Sequence, residues 1–87
     1  MNGNIHRITE ELKQMYIKKN TDYDNAFKKV WEEHGDLSLL IRLKDKMYRL
    51  ENLIENERKV EDETIEDTIK DIAGYCVLRL AIAKEDS

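Results

Sequence analysis

Leu40, Leu43, Met47, Leu50 and Ile54 follow one another at intervals of three and four residues without interruption. Side chains at that spacing line one face of an α-helix, whereas a strand would scatter them over both faces. The middle of the chain is therefore committed to a long helix. The 87 residues include no proline and only three glycines, so few positions can break a helix or close a tight hairpin. An all-β fold is excluded on that ground. The expected fold is all-α, one domain over residues 1–87 built as an antiparallel bundle of about four helices.

The remaining helices follow from the same period. Ile5, Ile8, Leu12, Met15 and Lys19, with Tyr16 alongside, predict a core-packing helix over residues 5–19. Thr21 and Asp24 have capping-box spacing and predict a second helix from about Tyr23 to His34, ended by Gly35. Asp36 or Ser38 caps the third helix, which reaches about Glu57. A charged connector over residues 56–62 follows. Thr64 with Asp67, or else Asp62, starts a fourth helix that runs to about Lys84. From Tyr75 to Ala83 that helix is apolar apart from Arg79, so it is expected to be buried on more than one side. A chain this short makes a thin core, and a homo-oligomer is expected.

Charge and cysteine usage narrow the function classes. Nineteen acidic against fifteen basic residues give a net charge of -4, which opposes a nucleic-acid-coating role. A small anionic ligand held by a few local Lys and Arg remains compatible. The single Cys76 can form neither an internal disulfide nor a thiolate metal cage, which fits a reducing cytosol. No apolar run approaches the roughly 20 residues of a membrane span, and the N-terminus does not read as a signal peptide. The expectation is a cytoplasmic protein without membrane contact.

Two polar rows stand out on the last two helices. Asp67 and Asp71 lie one helical turn apart, and Tyr75 and Leu78 continue their face beside an apolar stripe of Ile65, Ile69, Ile72 and Cys76. On the third helix Arg42, Asp45, Arg49 and Asn52 form a row flanked by Ile41 and Tyr48. Three arrangements are open. In the first, Asp45, Asp67 and Asp71, with Glu63 or Glu66, hold Mg²⁺ through carboxylate oxygens. In the second, Arg42, Lys46, Arg49 and Lys70 meet an anion while the aspartates orient them. In the third, Asp71 pairs with Arg49 and fixes the register of the bundle. Tyr23, Trp31 and Tyr48 are candidates to stack a base, although Trp31 reads first as a core anchor. His6 and His34 are isolated and do not read as metal ligands.

Three ordered segments carry a family resemblance. Lys19-Asn20-Thr21-Asp22-Tyr23-Asp24-Asn25-Ala26-Phe27, Arg42-Leu43-Lys44-Asp45-Lys46-Met47-Tyr48-Arg49-Leu50 and the run from Val60 to Tyr75 resemble the motifs of nucleotide modification associated domain 1, a domain of phage and bacterial proteins. Asp24 stands where that family more often has Gly, and Gly74 where it usually has Asn. The domain is in turn similar to the MazG-like all-α nucleoside triphosphate pyrophosphohydrolases, whose resemblance implies Mg²⁺ held by Glu-x-x-Glu and Glu-x-x-Asp. Asp71 then matches the last acid, Thr68 falls where a Glu is expected, and Arg49 stands near another carboxylate position. With cations where carboxylates are expected, the resemblance implies binding of a nucleotide between helices three and four. The ligand-binding set is Arg42, Asp45, Lys46, Arg49, Asp67, Asp71, Tyr75 and Tyr23. Sequestration of a phage-relevant nucleotide, Mg²⁺-dependent pyrophosphohydrolysis and a non-catalytic structural role are the three functional expectations.

Overall fold

A computed structural model of the chain describes residues 1–22, 25–56 and 64–85. Four helices account for nearly all of them: α1 (Asn2–Asp22), α2 (Ala26–His34), α3 (Asp36–Asn56) and α4 (Ile65–Glu85). No strand occurs among the described residues. The fold is an all-α bundle.

The helices end for local reasons. Thr21 does not cap α2. It lies in the last turn of α1, and its hydroxyl donates to the Ile17 carbonyl at 2.9 Å. Asp24, its expected partner, lies outside the described residues. The N-cap of α2 is Asn25, in the left-handed conformation at φ 58°, with no side-chain bond to the helix it starts. Its side chain instead accepts from Asn20 Nδ2 at 2.7 Å, which ties the turn back onto α1. Gly35 ends α2 as expected. Its φ is 67° and its N–H donates to the Trp31 carbonyl. The box at the start of α4 forms reciprocally: Thr64 N–H and O–H donate to Asp67 Oδ2, and Asp67 N–H donates to Thr64 Oγ1.

α3 and α4 form the central pair, with α2 packed against both and α1 against α4. The pair is antiparallel, since Asp36 at the start of α3 meets Arg79 near the end of α4, and Lys46 meets Asp71 at mid-length. The interior is small. Tyr16, Phe27, Leu53 and Ile82 are the buried large apolar side chains, joined by Ser38 and Thr68.

Which stripes face inward differs from the sequence reading. On α4 the inward seam is Thr68, Asp71, Tyr75, Leu78 and Ile82, while Ile65 and Ile69 are exposed. On α3 the inward seam is Ser38, Arg42, Lys46 and Leu53, while Leu40, Met47 and Ile54 are exposed. The reason is that the inward polar groups are satisfied, Lys46 by Asp71 across the bundle and Ser38 and Thr68 by carbonyls one turn back, so polarity alone does not place them outside. On α1, Tyr16 is buried but Ile5 and Ile8 are exposed, so only the second half of that helix packs as expected.

Candidate functional site

A cavity of about 270 Å³ opens where all four helices meet, lined by residues that include Tyr16, Lys19, Phe27, Arg42, Asp71 and Tyr75. The helical phase of α3 aims Arg42 and Lys46 at α4, four residues apart on one side. Arg42 lies over two rings at once, its guanidinium carbon 5.3 Å from the Phe27 centroid and 5.5 Å from that of Tyr75. The rings themselves are nearly parallel, 18° apart, with centroids 6.1 Å from each other. Cation–π attraction therefore holds the guanidinium at the cavity wall without neutralising it.

Lys46 Nζ lies 2.9 Å from Asp71 Oδ2, and the two side chains are 14% and 30% exposed. Asp71 thus pairs with Lys46; the proposed pairing with Arg49 does not form. Arg49 instead lies 3.5 Å from Asp45 on the outside of α3. Asp67 is engaged in the α4 cap. Thr68, at the position where the resemblance expects a metal Glu, is fully buried and donates to the Thr64 carbonyl at 3.1 Å. Among the described residues no three of His, Cys, Asp and Glu are grouped to hold a metal ion. Asp45, Asp67 and Asp71 are engaged in three separate places, with Arg49, Thr64 and Lys46, a donor arrangement that does not fit Mg²⁺.

Of the anticipated ligand-binding set, the structure brings Arg42, Asp71 and Tyr75 to the cavity and Lys46 directly behind Asp71. Tyr23 lies outside the described residues. Tyr48 is exposed and Trp31 is occupied, with its Nε1–H donating to Asp36 Oδ1 at 2.8 Å and Arg79 stacked 5.0 Å above its ring. Arg79 also donates to both carboxylate oxygens of Asp36. These bonds, from Arg79 first and Trp31 second, hold the Asp36 carboxyl below its usual range.

Six lining residues were not anticipated as ligand contacts: Tyr16, Lys19, Asn20, Ala26, Phe27 and Leu78. A signal for one was present. Lys19 falls in register with Ile5, Ile8, Leu12 and Met15, and a cation on a core-facing stripe calls for a partner. Its Nζ lies 5.5 Å from the Tyr16 ring centroid. Tyr16 reaches α4 and donates to the Lys70 carbonyl at 2.6 Å. Burial first, then the nearby Asp71 charge and Tyr75, push its phenol up to about 12. Gly74 makes this contact possible, because a Cβ there would sit 1.8 Å from Tyr16 Cζ.

The arrangement is a small cavity of mixed character, largely apolar in its walls, with two cations, Arg42 and Lys19, an amide, two phenols and an acid already paired to Lys46. Such a site suits an anion with an apolar portion. The family model of nucleotide modification associated domain 1 matches residues 19–82, a span that contains every one of these lining residues except Tyr16. No curated protein and no solved structure matches the chain.

Proposed function

The chain belongs to the nucleotide modification associated domain 1 family, and we propose that it binds a nucleotide or nucleotide-derived anion in the cavity walled by Arg42. The observation that carries the reading is the Arg42 guanidinium stacked on Phe27 and Tyr75 beside Lys19. A guanidinium held by rings keeps its N–H groups for phosphate oxygens, which it meets two at a time. Lys19 adds a second, mobile charge. The Asn20 amide oxygen and the Tyr75 hydroxyl face a sugar or base, the Asn20 amide nitrogen being held by Asn25, and Phe27 and Leu78 supply apolar wall. A cavity of about 270 Å³ is close to the lower end of small-ligand sites. Asp71 serves by holding Lys46, which keeps the acid from repelling the anion.

The role that follows is capture of a nucleotide, as a phage protein would use to drain or sequester one. The enzymatic alternative, Mg²⁺-dependent release of pyrophosphate, needs a carboxylate cluster that the described residues do not gather. Thermal shift against a nucleotide panel, with and without Mg²⁺, tests both. A shift with one nucleotide class and no released pyrophosphate supports binding, and turnover supports the alternative. The small interior and the lone cysteine favour a cytoplasmic homo-oligomer. No described helix is long and apolar enough to cross a membrane.

A further inference from the structure

The outer face of the α3–α4 pair, turned away from the cavity, is apolar. Leu40, Met47 and Ile54 recur every seven residues, turned roughly 120° from Arg42 and Lys46 by helical phase. They are 48%, 52% and 58% exposed. Ile65, Ile69 and Leu80 occupy the matching outer flank of α4 at 40%, 50% and 67%. Both stripes flank the α3–α4 contact, so they merge into one surface two helices wide. We infer that this surface is the interface of a two-fold homodimer, in which a second copy of the chain covers it.

Three observations favour a second copy. The chain exposes 6937 Å², against about 5,400 Å² for a compact monomer of its mass. Of this excess, on the order of 1,500 Å², a standard interface would remove about half, roughly 800 Å² per partner. The stripe also repeats at the heptad spacing that receives another helix of the same kind. Lastly, its edge is self-complementary. Lys44 and Glu51 lie seven residues apart on one edge of the α3 stripe, and both are exposed. A two-fold axis near Met47 sets the two copies of α3 antiparallel, so each Lys44 faces the partner subunit's Glu51. The inference rests on the self-association proposed above and is independent of any ligand.

Sedimentation equilibrium of the whole chain, from about 1 to 100 µM, tests it. The expected mass is twice the 10.4 kDa of the chain. Met47→Glu with Ile69→Glu should give the 10.4 kDa species with unchanged helical circular dichroism, while Ile8→Glu on α1 should leave the dimer intact. Lys44→Glu should weaken the dimer several-fold, and adding Glu51→Lys should restore it. If the apolar variant loses its helical signal, the charge pair decides alone. A monomer at every concentration overturns self-association altogether. A dimer that survives the apolar variant, or that ignores the charge reversal where that variant unfolds, overturns this face alone.

Discussion

Lys46 of α3 and Asp71 of α4 meet at 2.9 Å in the middle of the bundle, with the ammonium 14% exposed and the carboxylate 30%. The pair links the two central helices at the edge of the cavity. Both groups are shielded enough from water that removing Asp71 forfeits an ion pair stronger than an exposed one. Asp71→Ala should therefore destabilise the fold by about 1–2 kcal/mol, between the values for exposed and buried pairs. Adding Lys46→Met to Asp71→Ala should cost less than the sum of the two single changes, because the ion pair is already broken. Urea denaturation of the single and double variants checks both.

Gly74 carries a different constraint. Any side chain at this position meets the Tyr16 ring, whose nearest atom would lie 1.8 Å from a new Cβ. Glycine within a helix ordinarily costs about 1 kcal/mol relative to alanine, so Gly74→Ala would stabilise a helix with open space there. Here it should destabilise by about 1–3 kcal/mol through overpacking. Tyr16→Phe keeps the ring and loses the bond to the Lys70 carbonyl, at a cost of about 1 kcal/mol. Thermal melts of both variants test the contact.

Much of the fold was legible in the residues. Four helices, the stop at Gly35 and the Thr64–Asp67 box all followed from spacing and local chemistry. The orientation of the helices was not. Leu40, Met47 and Ile54 form an apolar stripe and are exposed, whereas Arg42 and Lys46 face inward. Periodicity identifies a stripe but does not say which partner covers it. Arg42, Asp71 and Tyr75 could be expected to come together because they lie on facing helices, and they line the cavity. Tyr16, Asn20 and Phe27 could not be expected there, because their roles depend on how α1 and α2 pack against α4, which no local spacing encodes. Arg49 and Asp67 do not line the cavity for a simpler reason: each has a partner within four residues, in Asp45 and Thr64.

Acid stability should report on Asp36. Its carboxyl is held below the ordinary range by Arg79 and Trp31. A depressed native value means the stabilisation is present above the unfolded value of about 3.9 and is lost as pH falls through the native one. The melting temperature should then fall below about pH 4. Asp36→Asn should lower it at neutral pH and flatten that acid limb. Tyr16 gives the opposite limb. Its native value near 12 lies above the usual 10.0, so stability from its neutral form is present below pH 10 and declines as pH rises toward 12. Tyr16→Phe should remove that alkaline decline.

Asp67 should matter to folding and not to ligand. Its carboxylate accepts both the N–H and O–H of Thr64. Asp67→Ala should cost about 1 kcal/mol, the usual value of a lost cap, while leaving nucleotide affinity unchanged. Melts run beside a binding titration separate the two effects.

Calorimetric titration of one nucleotide panel into wild type, Arg42→Ala and Arg49→Ala bears on the account most directly. Arg42 lies over Phe27 and Tyr75 at the cavity, while Arg49 pairs with Asp45 outside it. One anionic nucleotide class should bind wild type and Arg49→Ala equally and lose about ten- to a hundredfold in affinity with Arg42→Ala, the worth of a charged hydrogen bond. Equal binding by Arg42→Ala, or no binding by wild type across the panel, would contradict it.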